Sequence, residues 1–199
     1  MNGRSRILET VRGHQLERTP LPTLDQDWIQ FPDQSAQFAT VLESVGGKCI
    51  SVATEADING HLAELPQYVS AEVTCSMIDS VGQSTVYPEE LEDPHDLLAV
   101  DFAVLRGDLA VAENGAVWLT DETLRHRALC FITQHLALVV RRSRLVSNMH
   151  EAYRYLSFTE RQFGAFISGP SKTADIEQSL VIGAQGPRSH VVFLVDDTD

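Results

Sequence analysis

Apolar positions repeat at helical spacing in the first segment, where Ile7, Leu8 and Val11 share one face, and they predict a helix over residues 2–11 that stops at Gly13. An extended connection follows, through Pro20, Pro22, Trp28 and Pro32. Phe38, Val41, Leu42 and Val45 again recur with helical period, so a second helix is expected over residues 35–45, ended by Gly46-Gly47. Beyond it the pattern alternates unevenly: strand 49–53, helix 55–65, strand 69–73, a turn at Val81-Gly82, strand 84–87 and a short helix 94–98.

The middle of the chain is rich in strands. Runs at 102–106, 109–113 and 116–120 are separated by Gly107-Asp108 and Asn114-Gly115, both hairpin signals. Residues 136–140 form the continuous apolar run of a strand covered on both faces. A helix over 148–156 opens on Asn148 as N-cap and turns Ala152, Tyr153 and Leu156 inward. Strand 163–168, a helix over 173–182 closed by Gly183, and a last strand over 190–195 complete the pattern. More strands are present than two layers easily bury, which predicts an α/β architecture with a sheet between helices.

Composition narrows the class. At 199 residues, 43% hydrophobic and 22% charged, the chain suits one folded domain over residues 1–199, with the helix and extended connection of residues 1–34 packing on it. The first residues lack the apolar run of a signal peptide, and no segment approaches the roughly 18 apolar residues of a membrane helix, so the cytoplasm is the expected compartment. Cys49, Cys75 and Cys130 are odd in number and far apart, which gives neither a disulfide framework nor a Cys-x-x-Cys site; they read as buried thiols. No His-Glu-x-x-His helix occurs among the seven histidines, and no metal site is expected.

The net charge of −13 is unevenly spread. Residues 1–122 carry six basic against 21 acidic side chains, residues 123–172 eight against two, and residues 173–199 one against five. Either the basic stretch steers an anion or an acidic partner, or Arg125, Arg127, Arg141, Arg142 and Arg144 pair with the chain's own acidic half. A pI near 4.8 disfavours nucleic acid as a partner.

The most informative segment is Phe166-Ile167-Ser168 running into Gly169-Pro170-Ser171-Lys172-Thr173-Ala174-Asp175-Ile176-Glu177. It reads as a strand, a tight turn and a helix start, and open α/β sheets place ligands at such turns on the carboxyl ends of their strands. Gly169 permits a positive φ or close approach, and Ser171 and Thr173 bring hydroxyls beside free helix amides. Lys172 is one of two lysines, with Lys48, in a chain of thirteen arginines. Together these groups suit a small anionic ligand, unless Asp175 and Glu177 themselves complement the helix start.

Three stretches between Ala110 and Asp196 resemble the lactate-utilisation protein C family, also called the LUD domain family. They are Ala110 to Gly115, Phe166 to Glu177, and Gly183-Ala184-Gln185-Gly186-Pro187. The resemblance implies the fold of the sugar-phosphate isomerase and CoA-transferase superfamily, a three-layer α/β/α arrangement around a central mixed, mostly parallel sheet. It implies oxidation of L-lactate to pyruvate beside iron-sulfur partner proteins, and adds Gly183, Gln185 and Gly186 to the expected ligand site. No cofactor follows from the residues, and the oligomeric state is left open, a homo-oligomer included. This chain departs from the family pattern in having Asn114 for Thr, Lys172 for Arg and Gln185 for His. Lysine keeps the charge but loses the planar fork, and Gln185 removes any titratable role.

Glu113-Asn114-Gly115 also resembles the stretch that supplies the nucleophilic carboxylate of some CoA-transferases. The alternative is a hairpin turn with Glu113 on its flank. Three functions therefore stand side by side: a lactate-utilisation subunit, an acyl- or phosphosugar-processing enzyme using Glu113, and a ligand sensor without catalysis.

Overall fold

Five of the apolar runs pair in register as one parallel sheet. The computed structural model describes residues 2–14, 19–122, 124, 126–156, 163–174 and 179–197. The strands in chain order are β1 (Lys48–Val52), β2 (Thr74–Ser76), β3 (Phe102–Arg106), β4 (Leu109–Val111), β5 (Ala116–Thr120), β6 (His135–Arg141), β7 (Leu145–Val146), β8 (Gly164–Ile167), β9 (Lys172–Thr173), β10 (Val181–Ile182) and β11 (Ser189–Val195). The helices are α1 (Gly3–Gly13), α2 (Gln34–Ser44), α3 (Ile58–Glu64), α4 (Pro66–Val69), α5 (Leu129–Ile132) and α6 (Met149–Tyr155). The parallel sheet has the order β1-β11-β6-β3-β2, with Phe102, His135 and Ser189 aligned across its centre.

Both faces of that sheet are covered, which is why its central strands read as unbroken apolar runs. On β6 and β11, Leu136, Leu138, Val140, Val192 and Leu194 join the cluster of Phe38 and Leu42 from α2 and Leu129 and Cys130 from α5. The alternate residues Ala137, Val139, Val191, Phe193 and Val195 pack with Ile58 and Leu62 of α3. Each fully buried Leu or Phe contributes roughly 1.5–3 kcal/mol to this core. The result is the expected α/β fold, a parallel sheet between helical layers. No helix among the described residues is long and apolar enough to cross a membrane.

Several predicted elements fall elsewhere. The strand expected at 69–73 is displaced: Pro66 starts α4 at its first turn, and pairing begins only at Thr74. Residues 84–87 form no ladder; the Thr85 N–H donates to the Thr74 carbonyl at 2.8 Å, and Pro88 ends the segment. Gly107-Asp108 is not a hairpin turn, because β3 lies in the parallel sheet and β4 in a second sheet of order β7-β4-β5-β8. A Cβ on Gly107 would come within 2.3 Å of Val117 and 2.8 Å of Val140, so only glycine lets the chain pass from one sheet to the other. Asn114-Gly115 does lie in the hairpin that joins antiparallel β4 and β5.

The largest difference concerns the segment after β8. That strand pairs antiparallel with β5 at the edge of the second sheet and so does not feed the parallel one. Where a helix is expected over 173–182, the two ends instead form an antiparallel ribbon, with Lys172 opposite Ile182 and Thr173 opposite Val181. Residues 175–178 lie outside the described residues. Backbone groups that a helix would need at its start are taken by distant carbonyls, a tertiary override of local propensity.

Candidate functional site

The turn singled out by the sequence sits at the amino edge of the parallel sheet, beside the chain that enters β1. Gly169 has φ +72°, and a Cβ there would lie 2.6 Å from the Val45 carbonyl oxygen. Lys172 Nζ donates to that same carbonyl, the C-cap of α2, where a cation complements the negative end of the helix dipole. Ser171 N–H donates to the Pro187 carbonyl at 2.8 Å, and its own carbonyl accepts from Gly183 N–H at 2.9 Å. Gly186 packs on the Ser171 side chain, close enough that a Cβ would come within 3.0 Å of it. The two expected stretches, 169–173 and 183–187, are thus laced together.

The structure therefore brings Gly169, Ser171, Lys172, Gly183 and Gly186 into one corner, with Thr173 half-buried in the ribbon and Gln185 exposed. The expected row of free helix amides is absent at Ser171, whose N–H is bound within the chain. Asp175 and Glu177 lie outside the described residues. The corner is at the amino ends of the strands, opposite to the edge where open α/β sheets usually bind ligands.

Sequence reasoning missed His190. It occupies the second position of β11, on the same face as Val192 and Leu194 by strand alternation, and is 3% exposed. Neither ring nitrogen has a hydrogen-bond partner among the described residues. Burial, reinforced by the charge of Lys172, pushes the imidazole down to about 4 and keeps it neutral at physiological pH. The available signal was a polar residue at a buried phase of an otherwise apolar strand.

Glu113 lies at the start of the hairpin that joins β4 and β5. Half-buried, it accepts from Met149 N–H at 2.9 Å and so caps the start of α6, while its own N–H donates to the Ser147 carbonyl at 3.0 Å. Asn114 Oδ1 accepts from Ala116 N–H at 3.1 Å inside the hairpin, and the Asn114 carbonyl accepts from the Ser168 hydroxyl at 2.8 Å. Both residues hold secondary structure in place here.

At the opposite edge, Arg106 and Arg141 end the neighbouring strands β3 and β6, where the chain crosses into the second sheet. A cleft of about 730 Å³ opens there, lined by Arg106, Asp108, Leu109, Trp118, Arg141 and Arg144, among others. Arg106 donates to both Glu55 oxygens at 2.8 and 3.1 Å, which holds the Glu55 carboxyl below the usual range. Elsewhere in the basic stretch, Arg142 pairs with Asp196 at 2.6 Å and Arg127 with Asp121 at 3.7 Å. Arg141 and Arg144 have no ion pair among the described residues. The pairing reading thus holds for Arg127 and Arg142, while Arg125 lies outside the described residues.

Comparison with known proteins fits this architecture. Lactate utilization protein C of Bacillus pumilus is 36% identical over 102 residues, which is 48% of this chain and 42% of that protein. Its namesake in Shouchella clausii is 33% identical over 106 residues, 49% of this chain and 44% of that protein. The match therefore spans less than half the length of either relative. A DUF162 family protein of Deinococcus radiodurans superposes with a TM-score of 0.62 at 18% identity, over 81% of this chain and 96% of that one, and so shares the fold. Residues 83–195, more than half of the chain, match the LUD domain, and the chain belongs to the LUD domain family.

Proposed function

We propose that this chain acts in lactate utilisation as a subunit that supports oxidation of L-lactate to pyruvate beside iron-sulfur partner proteins, and that it holds a small carboxylate at the corner of Gly169, Ser171 and Lys172. The names of the relatives support the pathway. His190 carries the site: a buried imidazole whose two nitrogens meet no partner among the described residues, in the field of Lys172, is costly unless something meets it. A carboxylate reaching the corner would accept from the neutral imidazole N–H. It would accept as well from Lys172, whose ammonium has two donors beyond the one on Val45. Removing two electrons and two protons from lactate leaves pyruvate, and the partner's clusters are the acceptors in this reading.

Two experiments test it. Purification under anaerobic conditions with the products of neighbouring genes is expected to recover a cluster-bearing protein; repeated recovery of the chain alone would count against the partnership. L-lactate or pyruvate at about 100 times its dissociation constant is expected to raise stability by roughly 2.7 kcal/mol in thermal unfolding. That gain should vanish in His190→Leu and in Lys172→Ala, and its persistence in both would remove the ligand from this corner.

A further inference from the structure

We propose that the cleft at the carboxyl edge is a second binding site, for an organic phosphate of nucleotide size, separate from the corner at the amino edge. Its position is the first ground. Two adjacent parallel strands end there, and the connections after β3 and β6 both turn away into the second sheet, leaving a crevice outside the sheet at its carboxyl ends.

The charges are the second ground. Arg142 and Arg106 are occupied by Asp196 and Glu55. Asp197 is held by the Ser143 N–H and hydroxyl, both at 2.7 Å, and has no ion pair among the described residues. Asp108 accepts from the Thr120 hydroxyl at 2.8 Å, and Glu122 is the other acidic group in the lining. Arg141, which precedes the single turn at 142–144, and Arg144, which ends it, are left with their donor forks directed by no protein carboxylate within ion-pair distance among the described residues. In a chain of net charge −13, two such guanidiniums beside one cleft attract a compact dianion, while the rest of the surface repels a long polyanion. Planar forks of this kind bind phosphate in a bidentate way.

Size and walls define the rest of the ligand. About 730 Å³ lies within the range of sites for ligands of drug or nucleotide size, and a three-carbon hydroxy acid would fill a small part of it. Leu109 and Trp118, 3% and 7% exposed, form an apolar wall, and the exposed Tyr155 ring stands at the rim to meet a flat base.

Isothermal titration of the full chain with ADP, pyrophosphate, adenosine and L-lactate tests the proposal. ADP is expected to bind, pyrophosphate to bind more weakly, and adenosine to give no signal. The double variant Arg141→Ala/Arg144→Ala should weaken ADP about thirtyfold or more, since both planar forks that would hold the phosphates are lost. Lys172→Ala should leave ADP within about twofold of the parent, which separates this site from the proposed carboxylate corner. Tyr155→Ala should weaken ADP and spare pyrophosphate. Absence of ADP and pyrophosphate binding at millimolar concentration, or equal ADP affinity in parent and double variant with unchanged circular dichroism, overturns the proposal. So does loss of L-lactate binding in the double variant, which would make the cleft the carboxylate site.

Discussion

At the amino edge of the sheet the cation Lys172 is tied to a helix-end carbonyl, and the loops around it bond to one another. At the carboxyl edge Arg141 and Arg144 face a cleft with no ion pair among the described residues. The difference separates two uses of charge. A cation fixed against backbone contributes to folding, so its removal is felt in stability. A cation left facing water contributes little to folding and is available to a ligand. His190 complicates the first edge, because the same closely packed corner buries a polar ring that meets no hydrogen-bond partner among the described residues.

The largest expected effect follows from that ring. The folded pKa of His190 is depressed to about 4 from the ordinary 6.5, so the unfolded chain takes up a proton over that interval while the folded chain does not. Stability contributed by the neutral ring is complete above pH 6.5 and is lost as the pH falls towards 4, in total by about 3 kcal/mol. Urea unfolding across this interval is expected to show the loss in the parent and a shallower slope in His190→Leu. The difference between the two proteins isolates His190 from His135, whose pKa is also lowered, chiefly by burial. Parallel slopes would mean that the ring is not sealed in the folded state.

Next in size is Gly169→Ala. A left-handed φ of +72° and a Cβ 2.6 Å from the Val45 oxygen predict a loss of about 2 kcal/mol, read as a lower urea midpoint at unchanged slope. Lys172→Met should cost about 1 kcal/mol, for one hydrogen bond and the dipole contact at the end of α2. If both variants match the parent, the amino edge is not held as the geometry describes.

The long apolar runs were legible because burial on both faces leaves no alternation to confuse, and β3, β5, β6 and β11 fall at or within one residue of their expected limits. The period of Phe38, Val41 and Leu42 likewise placed α2. What escaped was set by partners remote in sequence. Nothing near residues 173–182 announces that Lys172 will lie opposite Ile182, and a run of hydroxyl and acidic residues resembles a helix start in isolation. The glycine of the turn could be read, but the role of Lys172 depends on a carbonyl 127 residues away. Arg106 and Arg141 meet only because β3 and β6 are neighbours, with Arg106 in register with Val139, and strand adjacency is not written in the local pattern of either strand.

The smallest stability effect is the one that sharpens the contrast most. Arg141 and Arg144 are exposed, and neither has an ion pair among the described residues, so their double replacement by alanine should change unfolding free energy by less than about 0.5 kcal/mol. The direction is informative as well. Arg141 lies near enough to Asp197 and Glu55 to lower both carboxyls, though not first among the causes at either. Its loss should therefore raise both pKa values slightly, so the small cost should be complete at pH 7 and fade as the pH falls through the carboxylate range. A loss above about 1 kcal/mol at pH 7 would show that these guanidiniums are structural like Lys172, and the distinction between the two edges would then fail on its own terms.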